Sequence, residues 1–172
     1  MYKLILFFCL VSSSLFSQQV TVKAVHDGDS YKIQWQDGTN EWVRLWGVDA
    51  PEISSNHITA NQPFGVQAGN YVRSWLKGQV VTIDTTVGQD DPFGRRVVKI
   101  QIDSALYSCL DSVPGEYLND LSTYLVRNGY AWWFDKSLQD SQDFAKESKL
   151  GLWGLPGRKI RPETFRKRNW HN

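Results

Sequence analysis

Period-two alternation of apolar and polar residues governs the first third of the chain. Val20, Val22 and Ala24 stand against Thr21 and Lys23, and Tyr31, Ile33 and Trp35 against Lys32, Gln34 and Gln36. That spacing turns one face of a strand to a core and the other to water. Asp27-Gly28 and Asp37-Gly38 supply tight-turn signals after each run, and Trp42 to Val48 reads as a third strand, so the first three strands form a meander. From Pro63 to Lys77 the period becomes helical, with Ala68, Val72, Trp75 and Leu76 on one stripe and Gly78 placed to end it. Val80 to Val87 and Arg96 to Ile102 return to strand character. Five strands with a helix after the third predict a small closed barrel, because closure removes the edges an open sheet would leave. Two more helical stretches follow, Asn119 to Asn128 ending at Gly129 and Leu138 to Leu150 ending at Gly151, after which Leu152 and Trp153 complete the core. The segment from Asp103 to Leu118, with Cys109, Pro114 and Gly115, fits neither period and reads as a loop or hairpin.

The two ends differ in character from this body. Lys3, an apolar run from Leu4 to Val11 and the small polar stretch Ser12 to Ser14 read as an export leader over residues 1–17, cut near Ser17. The run is shorter than the roughly 20 residues of a membrane-spanning helix, so a soluble, exported product is expected, in the periplasm or the medium. About 155 residues then remain, enough for one domain with a real core, and residues 18–157 are assigned to it. Eight Trp, seven Tyr and eight Phe make burial easy. Cys109 is the one cysteine left after leader removal, so no internal disulfide is available. Residues 158–172 carry Arg158, Lys159, Arg161, Arg166, Lys167 and Arg168 against Glu163, and read as a basic, solvated tail.

Three short clusters carry the chemistry: VHDGDS with Asp27 and Asp29, RLWGVDAPE with Arg44, Asp49 and Glu52, and DPFGRR with Arg95. Asp29 belongs to the turn between the first two strands and Asp49 to the end of the third, so adjacent strands bring both carboxylates to one rim. Two aspartates, a main-chain carbonyl, waters and a phosphate suit a hard, oxygen-seeking cation such as calcium. No His/Cys pair stands at zinc spacing. Arg44 shares a strand face with Trp42 and Trp46, and a guanidinium so placed needs an anion; phosphate fits its planar fork, while a structural ion pair with Glu52 or Asp49 is the plainer alternative. Glu52, beyond the bend at Pro51, is placed to accept a proton from, or orient, a water. His26, His57 and His171 show no ligand spacing, and Cys109 reads as an incidental thiol.

These clusters, in this order, resemble the staphylococcal nuclease family from about Val20 to Trp153. VKAVHDGDSYKI is similar to its first hairpin, VRLWGVDAPE to its central strand and acidic loop, FGRRVVKI to its second arginine motif, and YLVRNGYAWWF with KLGLWG to its later helices. The resemblance implies a mainly β fold with α, a five-stranded OB-type barrel with three helices, a Ca2+ cofactor, and hydrolysis of DNA and RNA. It further implies Asp29, Asp49 and the main-chain carbonyl of Ala50 as metal ligands, Asp27 as a group supporting them, Glu52 as base, and Arg44 and Arg95 as phosphate clamps. The family archetype has threonine at the position of Ala50, where only a carbonyl is required. Its substrate-stacking tyrosines correspond to Phe93, Trp132 and Phe134, and of the adjacent Trp132 and Trp133 the second is expected in the core. A monomer is expected. A nucleic-acid-binding module that does not cleave is the alternative function.

Overall fold

The structure is a computed structural model and describes residues 17–54, 61–102 and 119–169. The leader up to residue 16, Cys109 and the 103–118 loop or hairpin, His57 and His171 lie outside the described residues.

Five strands close the expected barrel: β1 (Ser17–Val25), β2 (Ser30–Gln34), β3 (Asn40–Leu45), β5 (Val80–Asp84) and β6 (Arg96–Gln101), in the order β1-β2-β3-β6-β5. The meander is antiparallel, with Ser30 opposite Arg44. Closure comes from β6, which runs parallel to β3 and antiparallel to β5, while β5 pairs with β1. Alternation dictates the filling: Val22, Ile33, Val43, Ile83, Val98 and Ile100 point inward and are wholly buried. The third strand stops at Leu45, earlier than its sequence pattern, and after the turn at Trp46 and Gly47 a two-residue strand β4 (Val48–Asp49) leaves the barrel. It pairs with β7 (Trp132–Trp133), Asp49 opposite Trp132.

Helix α1 (Gly65–Leu76) buries Ala68, Val72, Trp75 and Leu76, its sequence stripe. Helix α2 (Leu121–Arg127) starts at Asp120, whose carboxylate accepts the Thr123 N–H at 2.7 Å and so satisfies a first-turn donor. Helix α3 (Gln139–Glu147) packs on α2 after a 3-10 turn over Lys136–Leu138. Among the described residues there are four α-helices where three were expected for the chain. The fourth, α4 (Pro162–Asn169), lies within the segment read as a solvated tail, and burial of Pro162 and Phe165 docks it against the domain.

Candidate active site

The turn between β1 and β2 is built around its own acids. The Asp27 carboxylate accepts the Asp29 N–H at 3.1 Å, and the Leu45 N–H donates to the Asp29 carbonyl at 2.8 Å, which locks the turn against the end of β3. The Asp29 carboxylate accepts from the Ser30 hydroxyl at 2.9 Å and from the Ala50 N–H at 2.8 Å. Gly28 permits this approach, since a Cβ there would stand 2.8 Å from the Ala50 Cβ. Arg44, opposite Ser30, then places Nη2 3.2 Å from Asp29 Oδ2 and 2.9 Å from Asp49 Oδ1. Two carboxylates twenty positions apart in sequence thus meet at one guanidinium. The groups in closest charge contact with Arg44 are acids. Trp42, on the same strand face, is 42% exposed, and Trp46 lines the cavity beside Arg44 with Lys99 Nζ 4.0 Å from its ring centre.

Glu52 is buried and is held through its backbone: its N–H donates to Gln62 Oε1 at 3.2 Å and its carbonyl accepts the Gln62 N–H at 2.9 Å. The start of α1 presses on the same loop, where a Cβ on Gly65 would come within 2.4 Å of the Glu52 carbonyl oxygen. Arg95 enters from the turn before β6. Asp91 accepts the Arg95 backbone N–H at 2.9 Å and its Nε at 2.7 Å, and Arg95 Nη1 donates to Ser30 Oγ at 2.8 Å. Sequence reasoning missed Ser30 and Asp91; the signals were DGDS and an aspartate four residues before Arg95.

It also missed Arg166. From α4 its Nη1 donates to Asp49 Oδ1 at 3.0 Å and to Glu52 Oε1, while Nη2 is 3.5 Å from Asp49 Oδ2.

These groups wall one cavity of about 660 Å3, lined by Asp27, Asp49, Glu52, Arg44, Arg95 and Arg166 on its charged side. Phe93, 81% exposed, and Phe134, 73% exposed, stand at it as the aromatic faces. Phe134 is fixed there because its N–H donates to the Gly47 carbonyl at 2.7 Å. Trp132 is a correction. It is buried, packs edge-on against Trp153 with ring centres 5.3 Å apart, and does not reach the cavity. The register of β7 on β4 makes Trp133, not Trp132, the half-buried member of the pair, and Arg161 lies over its ring at 5.0 Å. His26 forms part of the cavity wall, with Nε2 3.2 Å from the Ile53 carbonyl oxygen.

Crowding of acids shows in their protonation. Burial, then the Asp29 carboxylate, push Glu52 up to about 7, against an opposing pull from Arg166. Burial and Asp29 also raise Asp49, and burial raises Asp27 well above the usual carboxylate range. The Asp29 carboxylate in turn raises Arg44 and keeps it charged. Fully ionised, Asp27, Asp29, Asp49 and Glu52 would carry four negative charges against the two positive charges of Arg44 and Arg166, and the raised acids narrow that positive-charge deficit by holding protons.

A dication fits that deficit. Among the described residues no three His, Cys, Asp or Glu side chains form a ready-made metal cluster. The donor set is instead two converging carboxylates, Asp29 and Asp49, with backbone at Ala50 and open cavity for water, which is oxygen chemistry suited to a hard ion.

The comparisons agree with this geometry. Residues 42–154 match the family described as Staphylococcal nuclease homologue. The chain is similar to the thermonuclease of Staphylococcus intermedius, 32% identical over 142 residues that cover 83% of this chain and 80% of that protein. It is 25% identical to the thermonuclease of Staphylococcus hyicus over 141 residues, 82% of this chain and 79% of that one. Against the probable endonuclease LCL3 of Yarrowia lipolytica (strain CLIB 122 / E 150) it is 26% identical over 136 residues, 73% of this chain and 54% of that protein. A barrel whose turn acids and strand arginine meet at one rim, matched along most of its length, belongs to the staphylococcal nuclease family.

Proposed function

We propose that the protein is an exported, calcium-dependent nuclease that hydrolyses phosphodiester bonds of DNA and RNA with little sequence preference. The observation that carries this is the convergence of Asp29 and Asp49 on Arg44, beside a cavity that Arg44, Asp49, Glu52 and Arg95 wall. Relatives named thermonuclease and probable endonuclease support hydrolysis of nucleic acid, and the leader read at residues 1–17 supports export.

A calcium ion held by Asp29, Asp49 and the Ala50 carbonyl would offset phosphate charge and polarise the phosphorus for attack. The remaining work falls to the chain. Glu52, with its carboxyl near 7, is partly deprotonated at neutral pH and can take a proton from water within the cavity. The water oxygen bonds to phosphorus as the ester P–O bond breaks, and the departing alkoxide takes a proton from solvent. Arg44 and Arg95 donate to the phosphoryl oxygens as charge builds on them. Phe93 and Phe134 offer faces on which bases stack whatever their sequence.

One assay tests the reading: DNA and RNA incubated with purified mature chain in millimolar calcium or in chelator. Both polymers are expected to be cut in calcium alone. Intact polymers in calcium, from protein whose circular dichroism shows a folded domain, refute it, and retention on the polymer without cleavage would indicate the binding module instead.

A further inference from the structure

Arg166 occupies the oxygens that a cation would need. Asp49 Oδ1 already accepts from Arg44 Nη2 at 2.9 Å and from Arg166 Nη1 at 3.0 Å, and the same Arg166 nitrogen donates to Glu52. A calcium ion bonds carboxylate oxygen at about 2.3–2.6 Å, so on Asp49 it would stand beside the Arg166 guanidinium, charge against charge. On Glu52 the same guanidinium covers Oε1, so a water has to compete with it for that oxygen. We propose that α4 is a self-competing arm: Arg166 fills the cation's electrostatic position in the metal-free protein, and the cation enters as Arg166 leaves. This rests on the calcium-dependent reading above.

The architecture of the arm fits a piece that is tethered yet able to withdraw. Its anchors all precede Arg166. The Ile160 carbonyl accepts from Gln62 Nε2 at 2.7 Å, Arg161 donates to the Trp133 carbonyl at 3.2 Å, and Pro162 and Phe165 are buried. Beyond Arg166 the described residues Lys167, Arg168 and Asn169 are exposed, and the Lys167–Glu163 pair is an exposed contact within the helix. The Arg166 side chain itself is 28% exposed, so its route to solvent is open. Gln62 also holds the Glu52 N–H at 3.2 Å, which places the base's backbone and the arm's lead-in on one side chain. The arm therefore raises the calcium level at which the site loads, and it balances crowded acids while calcium is scarce.

The test is calcium affinity without nucleic acid, by calorimetry on the mature full-length chain. Arg166→Gln is expected to bind calcium about tenfold more tightly than wild type, the scale of a desolvated charge contact. Lys167→Gln removes the same unit of charge without touching Asp49 or Glu52, since Lys167 pairs with Glu163, and is expected to match wild type. Equal or weaker binding by Arg166→Gln, or equal tightening by Lys167→Gln, overturns the proposal. Hydrogen exchange of the wild-type amides over 162–169 gives a second readout independent of any variant. Faster exchange in calcium is expected, and unchanged or slower exchange overturns the arm's withdrawal. Wild-type protein that takes up no calcium at millimolar concentration would sink the cation reading itself. Normal wild-type uptake with an indifferent Arg166→Gln sinks this inference alone.

Discussion

Ser30 Oγ stands between the two halves of the site, accepting from Arg95 Nη1 at 2.8 Å while donating to Asp29 Oδ1 at 2.9 Å. One hydroxyl thus sets the distance between the Arg95 guanidinium and the Asp29 carboxylate. Both partners keep another hold, Arg95 on Asp91 and Asp29 on the Ala50 N–H, so the hydroxyl tunes their spacing.

Ser30→Ala should accordingly lower kcat/KM by about tenfold to a hundredfold, less than loss of a direct transition-state contact, which costs about 10² to 10³. Stability should fall by about 1 kcal/mol, the net worth of a buried hydrogen bond. Cleavage kinetics beside a thermal melt check both, and wild-type turnover in the variant would remove Ser30 from the site.

A pair of measurements separates the proposed phosphate contact of Arg44 from its hold on Asp29 and Asp49. Arg44→Ala should reduce cleavage by about 10³ or more, the lower range for an arginine on a transferring phosphoryl group. It also leaves Asp29 buried without its guanidinium and Asp49 with Arg166 alone, so the metal-free protein should lose about 3 kcal/mol, with calcium restoring part of it. Arg95→Ala frees the Ser30 hydroxyl and one oxygen of Asp91, whose other oxygen keeps the backbone N–H groups of residues 93 and 95, and should lose comparable activity with a smaller change in melting temperature.

The metal-free protein should be less stable at pH 8 than at pH 5. Burial first, then Asp29, raise Glu52 from an ordinary 4.5 to about 7. Between those values the folded chain holds a proton that the unfolded chain has released, so stability falls as pH rises through that window. Asp49 and Asp27, also raised chiefly by burial, act in the same direction. Melts in chelator at several pH values test this. Calcium, which favours the deprotonated acids, should shrink or reverse the difference.

The aromatic residues divide by burial. Phe93→Ala and Phe134→Ala should raise KM and spare the fold, since a base stacked on an aromatic side chain is worth about 1–3 kcal/mol. Trp132→Ala should instead cost about 3–5 kcal/mol of stability, as emptying a core site does. A rise in KM without destabilisation for Trp132→Ala would contradict its place in the core.

Much of the barrel was legible because its strands alternate and its turns carry Asp-Gly. The rim site was legible for the same reason: neighbouring strands place Asp29 and Asp49 together whatever separates them in sequence. Helix ends drifted by a few residues where local hydrogen bonding decides them, as at Asp120 and in the turn over Lys136–Leu138. The roles of Trp132 and Trp133 could not be told apart by pattern, because they follow from a two-residue register against Val48 and Asp49. Arg166 was hidden for a different reason. Its partners lie 117 and 114 positions away, and its helix is so polar that composition alone calls it solvated. The faint signal was Pro162 and Phe165, apolar residues three apart amid charges.

The short ribbon of β4 on β7 ties the Asp49 backbone to the helical half of the molecule. The backbone seat of the acid therefore rests in part on two paired residues that depend on α2 and α3 staying packed. Partial opening of the helices, with the barrel still intact, would dismantle the chemistry before global unfolding begins. On warming, turnover should vanish ahead of the main melting transition.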